Sequence, residues 1–157
     1  MLTVDHARDL ADHAGERLGH SEWVAVTQDA ISEFARLTGD DHWIHVDVDR
    51  AAREMPGGKT IAHGLYLVSL MPHLQRDIYR IEHRGRGLNY GYDRMRFVMP
   101  VPVGSRIRLA LTLVEAEAHP KGTRIVNDTV IELEGAERPA IVARHILLIE
   151  DPAGEGA

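Results

Sequence analysis

Cysteine is absent from the 157-residue sequence, which excludes disulfide bonds, cysteine-based zinc or iron–sulfur sites and thiol nucleophiles. A long apolar run is also lacking, because the most apolar segment, 61–72, is interrupted by His63 and a membrane span needs about 20 apolar residues. The polar N-terminus has no signal-peptide pattern. Lys and Arg (18) are outnumbered by Asp and Glu (24), and the net charge of −6 argues against a nucleic-acid partner. We therefore expect a cytoplasmic protein that binds neither nucleic acid nor a membrane.

Length and composition limit the organisation of the chain. With 157 residues, 44% of them hydrophobic and 27% charged, the chain has the size and composition of one globular domain. We predict a single domain over residues 1–150 and a short flexible tail over 151–157. Ten histidines is a high number, and imidazole titrates near neutral pH, so histidine is the first residue type to consider for chemistry.

The N-terminal half of the sequence predicts helices. Thr27 is a suitable N-cap and Gly39 a suitable stop for a helix over 28–37, whose apolar residues fall near one face. A longer helix is predicted over about 62–80. It is apolar on nearly all sides for three turns, which predicts burial on every side, and Pro72 should distort it. The other predicted elements are a helical turn within 5–18, a strand at 23–26, an irregular segment at 38–48 and a helical turn at 49–54.

The pattern changes after Gly85 to one typical of strands. Four strands are predicted, separated by turns that contain Pro and Gly, over 88–97, 106–117, 123–133 and 140–149. A helix that is apolar all round and lies beside one sheet must be wrapped by that sheet. The sequence therefore predicts an α+β fold in which an antiparallel sheet surrounds a long helix.

The densest group of ionisable residues lies at 39–47, between two predicted helical segments. Asp40 and His45 are five residues apart, and helical geometry would separate them by about 140°, so only a loop can direct both into one site. A carboxylate beside an imidazole can activate a water molecule or transfer a proton. Two other interpretations are open: a solvated turn, or a metal site made of His42, His45 and Asp47.

Gly64 marks a second candidate feature, at the start of the apolar helix. The first N–H groups of a helix lack intrahelical partners, and glycine lets a ligand approach the backbone, so this N–H would suit a developing oxyanion. Alternatively, Gly64 only permits close packing of helix on sheet. The preceding His63 is either part of the site or a cap residue without a chemical role.

Arginine is concentrated between residues 76 and 108. This segment holds eight arginines and three acidic residues, a net charge of +5. Because guanidinium groups bind phosphate in a bidentate manner, the segment indicates a phosphorylated ligand. The alternative is that these arginines face solvent or pair with carboxylates across the sheet.

Taken together and in this order, these motifs resemble the MaoC-like hydratase family. The hydratase motif of that family is similar to Phe34, Gly39-Asp40, His45 and Ala51 here. Its second block resembles residues 61–64 followed by an apolar helix with Ser69, and its third resembles Arg96-Phe97 with residues 100–104. The resemblance covers about residues 15–149. Within the family, nodulation protein N-like proteins share stretches similar to Leu18-Gly19, Trp23, Gln28, 38–40, 43–47 and 89–91.

The resemblance implies a hot-dog fold, in which an antiparallel sheet wraps a long helix, and a homodimer. It implies reversible hydration of a trans-2-enoyl thioester to the (R)-3-hydroxyacyl thioester, carried on CoA or on acyl carrier protein, with no metal and no cofactor. It also implies that Asp40 and His45 activate the water and that the N–H of Gly64 holds the thioester oxygen. The residues expected to bind the substrate are His63, Asn89, Arg94 and Arg96.

One departure from the family concerns the loop that orients the pair. Hydratases of the family carry Asn-Pro where this chain has His42-Trp43. Two other functions are open from the sequence: a hot-dog acyl-CoA thioesterase, which would release a free thiol, and a non-catalytic protein that binds acyl thioesters.

Overall fold

The computed structural model describes residues 1–150 and residue 152. The flexible tail predicted over 151–157 lies, except for Pro152, outside the described residues. The strands are β1 (Leu2–Val4), β2 (Arg17–His20), β3 (Val24–Ala25), β4 (Tyr79–Ile81), β5 (Gly87–Phe97), β6 (Arg106–His119), β7 (Gly122–Leu133) and β8 (Ile141–Ile149). The α-helices are α1 (Gln28–Thr38), α2 (Trp43–Val46), α3 (Val48–Glu54) and α4 (Gly64–Leu74), and 3₁₀ helices cover Ala7–His13 and Gln75–Asp77. None of the helices in this part of the chain is both long and apolar enough to cross a membrane.

A six-stranded antiparallel sheet forms most of the fold. Its strands lie in the order β2-β6-β7-β8-β5, and β3 also pairs with β6. The four predicted C-terminal strands are confirmed as β5 to β8. The structure also contains three strands that were not predicted, namely β2 and the parallel pair of β1 with β4. Strands of three or four residues are too short to show a hydrophobic period in the sequence. Strand β5 forms one edge of the sheet.

Helix α4 provides the centre of the hydrophobic core. Its buried side chains form one apolar cluster with inward-facing residues of β6, β7 and β8. The hydroxyl of Thr129 on β7, for example, lies 3.9 Å from the sulfur of Met71. A helix wrapped by an antiparallel sheet is the hot-dog fold, and the predicted α+β class is confirmed. The buried residues of α4 are Leu67, Val68, Met71 and Leu74.

The helix predicted over 62–80 is shorter in the structure. Helix α4 ends at Leu74, two residues after Pro72, which removes one backbone hydrogen bond in the last turn. The apolar residues beyond it form β4, where Tyr79 pairs with Leu2 of β1. The prediction that this helix is buried on every side is also wrong for the single chain, because Leu65 of α4 is 60% exposed.

Local capping positions the segment that follows α1. The hydroxyl of Thr27 accepts a hydrogen bond from the N–H of Ala30 (3.2 Å), and Gly39 adopts φ 78°, so α1 ends at Thr38. The segment predicted as irregular contains one helical turn, α2. A turn of four residues is too short to be read from apolar periodicity. Asp40 therefore stands at the end of α1 and immediately before α2.

Candidate active site

Asp40 and His45 face each other across a short gap. Asp40 follows the Gly39 cap of α1, and His45 lies in α2. A carboxylate oxygen of Asp40 lies within 4.8 Å of a ring nitrogen of His45, and within the described residues no direct hydrogen bond or ion pair joins the two side chains. A gap of this width accommodates one water molecule hydrogen-bonded to both groups. The structure thus brings together the two residues singled out from the sequence.

The imidazole of His45 is buried and oriented by a backbone group. Its Nδ1–H donates to the carbonyl oxygen of Ile61 (2.7 Å), so Nε2 carries the lone pair. Burial lowers the pKa of His45, and the bond to Ile61 and the charge of Asp40 only partly oppose this effect. A neutral imidazole with a free Nε2 can accept a proton from a water molecule.

His63 connects the two halves of this site. Its Nε2–H donates to the backbone carbonyl oxygen of Asp40 (2.8 Å), and its ring stacks on that of His45 with centroids 3.8 Å apart. The ring of Phe34 on α1 packs against the ring of His63, with centroids 5.0 Å apart. Although His63 is the N-cap residue of α4, its side chain makes no capping hydrogen bond. The contacts favour a role in positioning Asp40 and His45 over a role as a cap.

Gln28 holds α2 in place, and its spacing in the sequence indicated no such role. Its Nε2 donates to the carbonyl oxygen of His45 (2.8 Å), and its Oε1 accepts from the hydroxyl of Thr60 (2.5 Å). The side chain therefore joins the start of α1 to both segments that orient His45. The partners lie 17 and 32 residues away, so only the tertiary structure reveals the contact.

An apolar cavity of about 410 Å³ opens beside the pair, and Gly64 lies on its wall. The N–H of Gly64 begins α4 and has no acceptor among the described residues. The position is also tight, because a Cβ added to Gly64 would collide with the ring of Phe97. Gly64 therefore has both features considered from the sequence: a free N–H at the start of α4 and close packing against a neighbouring side chain. The polar residues of the cavity are Asp40, His45 and His63, and its apolar residues include Leu65, Leu67, Phe97, Val101, Ala140 and Ile141.

The residues considered for a metal site are not brought together. The carboxylate of Asp47 caps α3 by accepting from the N–H of Arg50 (2.9 Å). His42 is exposed and contacts Trp43, whose ring lies under the guanidinium of Arg50 at 4.2 Å. Neither His42 nor Trp43 lines the cavity, so the departure from the family sequence lies outside it.

A different set of donor atoms does cluster, from Asp40, His45 and His63, all within 4.8 Å of one another. The two imidazole rings are stacked with an interplanar angle of 23°. Because nitrogen lone pairs lie in the ring plane, stacked rings direct them in two nearly parallel planes, which disfavours their convergence on one ion. The geometry suits proton transfer better than coordination of a cation.

Three of the predicted substrate-binding residues lie away from this cavity. Asn89 on β5 accepts a hydrogen bond through Oδ1 from Nε2 of His145 (2.7 Å). Arg94 and Arg96 line a separate cavity of about 310 Å³, next to the ion pair of Arg144 with an aspartate. Of the four residues predicted to bind the substrate, only His63 lines the same cavity as Asp40 and His45 within one chain.

His145 makes the stability of the fold depend on pH. It is 1% exposed, and burial lowers its pKa to about 4, against 6.5 for an ordinary histidine. The unfolded chain therefore binds the extra proton between pH 6.5 and 4, and this contribution to stability is lost as the pH falls through that window. We expect the free energy of unfolding to drop by about 3 kcal/mol over the window. Urea unfolding at pH 7 and pH 4.5 measures the change. The free energy of unfolding of the His145→Phe variant should fall less between these two pH values than that of the wild type. An equal loss in both proteins would contradict the assignment.

The arginines between residues 76 and 108 have three kinds of surroundings. Arg94 and Arg96 line the separate cavity described above, and Arg76 and Arg84 line a third cavity, at the end of α4. The remaining four form ion pairs with carboxylates. Because the first four are exposed, the alternative that these arginines face solvent or pair with carboxylates accounts for the whole set. These pairs are Arg80–Glu82, Arg86–Glu150, Arg106–Glu134 and Arg108–Glu132.

Comparison with known proteins identifies relatives along nearly the whole chain. The profile of the MaoC-like domain family matches residues 9–135. The 3-hydroxyacyl-thioester dehydratase Z of Mycobacterium tuberculosis is 45% identical over 148 residues, covering 94% of this chain and 97% of that protein. Nodulation protein N of Rhizobium leguminosarum bv. viciae is 40% identical over 147 residues, covering 92% and 91%. The structure of the (R)-hydratase from A. caviae involved in PHA biosynthesis shares the fold, with a TM-score of 0.69 at 20% identity, covering 88% of this chain and 96% of that one.

Proposed function

This chain belongs to the MaoC-like domain family, and from this premise we propose that it is an (R)-specific enoyl-thioester hydratase. It would add water reversibly to a trans-2-enoyl thioester and, in the other direction, dehydrate the (R)-3-hydroxyacyl thioester. The relative from Mycobacterium tuberculosis is named a 3-hydroxyacyl-thioester dehydratase, which supports the reaction class. The proposed catalytic residues are Asp40, His45 and Gly64.

One observation carries the proposal: a carboxylate and a neutral imidazole face each other across a gap of one water molecule. The gap opens on an apolar cavity, which suits an acyl chain. The free N–H of Gly64 lines the same cavity and is suited to the thioester oxygen. Water, acyl chain and thioester oxygen would each have a place within one pocket.

In the proposed reaction, Asp40 and His45 hold one water molecule. The water oxygen bonds to the β-carbon while Nε2 of His45 takes a proton, and the electron pair of the double bond shifts toward the thioester oxygen. The N–H of Gly64 stabilises the enolate-like oxygen. The pair of Asp40 and His45 then returns the proton to the α-carbon, and the thioester carbonyl is restored. One water is consumed and the thioester bond stays intact.

A direct assay tests the reaction class. A series of trans-2-enoyl-CoA esters from short to long is mixed with the protein, and loss of the conjugated thioester absorbance is followed beside a thiol-reactive dye. Loss of absorbance without thiol release is the expected result. Thiol release in step with the loss would indicate a thioesterase, and binding without either signal would indicate a non-catalytic protein; both outcomes contradict the proposal.

Replacing Gly64 by Ala is expected to lower kcat/KM for hydration by about a hundredfold, because the new methyl group both displaces Phe97 and shields the N–H. Initial rates with the preferred enoyl-CoA measure the loss. The double variant with Gly64→Ala and Phe97→Ala removes the collision but keeps the methyl group. Full recovery of the rate in that variant would mean that Gly64 serves packing alone.

We also propose a homodimer formed through the edge strand β5. Apolar side chains along this strand are unusually exposed: Leu88 is 49%, Tyr90 55% and Phe97 52% exposed. An unpaired edge with large apolar side chains favours pairing with a second copy, which would place the two sheets side by side. Sedimentation equilibrium should give twice the chain mass of 17.5 kDa, and a monomer at micromolar concentration would contradict the proposal.

The proposed catalytic unit is the single domain over residues 1–150. Both ends of that range are tied into the fold, because β1 pairs with β4 and β8 lies between β7 and β5. A single apolar cluster runs from Val4 to Ile149. One cooperative unfolding transition is therefore expected.

A further inference from the structure

The third cavity, of about 480 Å³, lies at the C-terminal end of α4, opposite to the end that carries Gly64. Its charged lining consists of three arginines, and no carboxylate lines it. The remaining wall is largely apolar and includes Leu147 and Ile149 of β8. The three arginines are Arg76, Arg80 and Arg84.

Two of these guanidinium groups have no carboxylate partner. Arg80 pairs with Glu82 (2.7 Å), but no carboxylate among residues 1–150 and 152 forms an ion pair with Arg76 or Arg84. The neighbouring acidic side chains are engaged elsewhere. Asp77 accepts from the backbone N–H of Glu22 (3.2 Å), and Glu150 pairs with Arg86 (2.7 Å). Counting only the described residues, the cavity therefore carries about two uncompensated positive charges.

The exposed residue Arg84 lines this cavity beside β5. It packs over Gly87, where a Cβ would overlap it. It also lies close to the buried phenol of Tyr79. Burial raises the pKa of Tyr79 to about 12, and the charge of Arg84 is one of the influences that oppose this rise. Tyr79 is held by a hydrogen bond from Gln75 (2.7 Å), so the floor is a defined surface.

We infer that this cavity binds the phosphate or diphosphate group of an organic ligand, through Arg76 and Arg84. Guanidinium forks match the oxygens of phosphate, and two of them balance the charge of about −1.5 to −2 of a phosphate monoester. The apolar wall of Leu147 and Ile149 would contact the organic part of the ligand. A bare inorganic ion would leave that wall unused.

The position of the cavity connects it to the proposed reaction, on which this part of the inference rests. Helix α4 runs from Gly64 in the first cavity to Pro72 in the third, and its 11 residues span about 16 Å. Leu65, Ser69 and Pro72 are exposed and lie along one side of the helix between the two cavities. An extended pantetheine arm can bridge this distance. The phosphates bound at Arg76 and Arg84 would thus be those of the CoA that carries the acyl group.

A binding experiment tests the site without any need for catalysis. Calorimetry with adenosine 3′,5′-bisphosphate and with inorganic phosphate is carried out on the wild type and on the double variant with Arg76→Gln and Arg84→Gln. The variant with Arg86→Gln is the matched control, since Arg86 lies near the cavity but is paired with Glu150 outside it. Binding of the bisphosphate by the wild type and the control, at least tenfold weaker in the double variant, is the expected result. Equal binding by all three proteins would overturn the inference.

A kinetic experiment distinguishes CoA from other sources of phosphate. The ratio of the KM for a trans-2-enoyl N-acetylcysteamine thioester, which has no phosphate, to that for the CoA thioester should fall about tenfold in the double variant and stay within twofold in the control. An unchanged ratio, or inorganic phosphate binding as tightly as the bisphosphate, would overturn the link to CoA. No turnover of either thioester would refute the hydratase proposal and leave the binding experiment to decide the phosphate site.

Discussion

Asp40→Asn is expected to lower kcat for enoyl-CoA hydration by about a thousandfold, because the amide keeps the shape of the carboxylate but loses its charge and basicity. The fold should be unaffected, since Asp40 is exposed and the contact that His63 makes is with its backbone carbonyl. Steady-state rates with the preferred enoyl-CoA measure the effect, and circular dichroism checks the fold.

Asp41→Asn is the matched control for this prediction. Asp41 is the adjacent carboxylate, it is exposed, and it does not line the cavity. Its rate should stay within about twofold of the wild type, as expected when only a solvent-screened surface charge is removed. If Asp40→Asn kept the full rate, the proposed mechanism would be wrong.

His45→Gln should have an effect of similar size, about a thousandfold on kcat, because Gln cannot take a proton from water. The pH dependence of the wild type gives a second readout. Since burial lowers the pKa of His45 below the ordinary 6.5, the neutral form persists as the pH falls below that value. The acid limb of kcat/KM should therefore lie below pH 6.5.

The control is His42→Gln, a change of the same type at an exposed histidine outside the cavity. It should keep the rate. An acid limb above pH 6.5 in the wild type, or a His45→Gln variant with normal turnover, would count against His45 as the base.

The parts of the site governed by local rules could be predicted from the sequence. Thr27 and Gly39 are recognisable caps, so the end of α1 and the position of Asp40 follow from nearest-neighbour chemistry. The alternation of residues 106–149 predicts strands, because one face of each strand packs on the core. The closeness of Asp40 and His45 was a hypothesis that the short chain between them allowed, and the turn α2 that carries His45 was not predicted.

The parts that depend on tertiary contacts could not be predicted. Gln28 and His63 act on groups 17 to 32 residues away, and no periodicity encodes such contacts. The predicted helix over 62–80 is too long because Leu74 and Ile78 keep the spacing of a helix face, yet residues 79–81 pair with β1. Residue type alone also cannot separate Arg80, which has a carboxylate partner, from Arg76, which has none among the described residues.

The most direct test of the central claim is hydration in ¹⁸O-labelled water, followed by mass spectrometry and chiral analysis of the product. Activation of one water molecule by Asp40 and His45 predicts one ¹⁸O at C3 of an (R)-3-hydroxyacyl-CoA whose thioester bond is intact. Label in the carboxylate of a released free acid, or an (S)-configured product, would contradict the account.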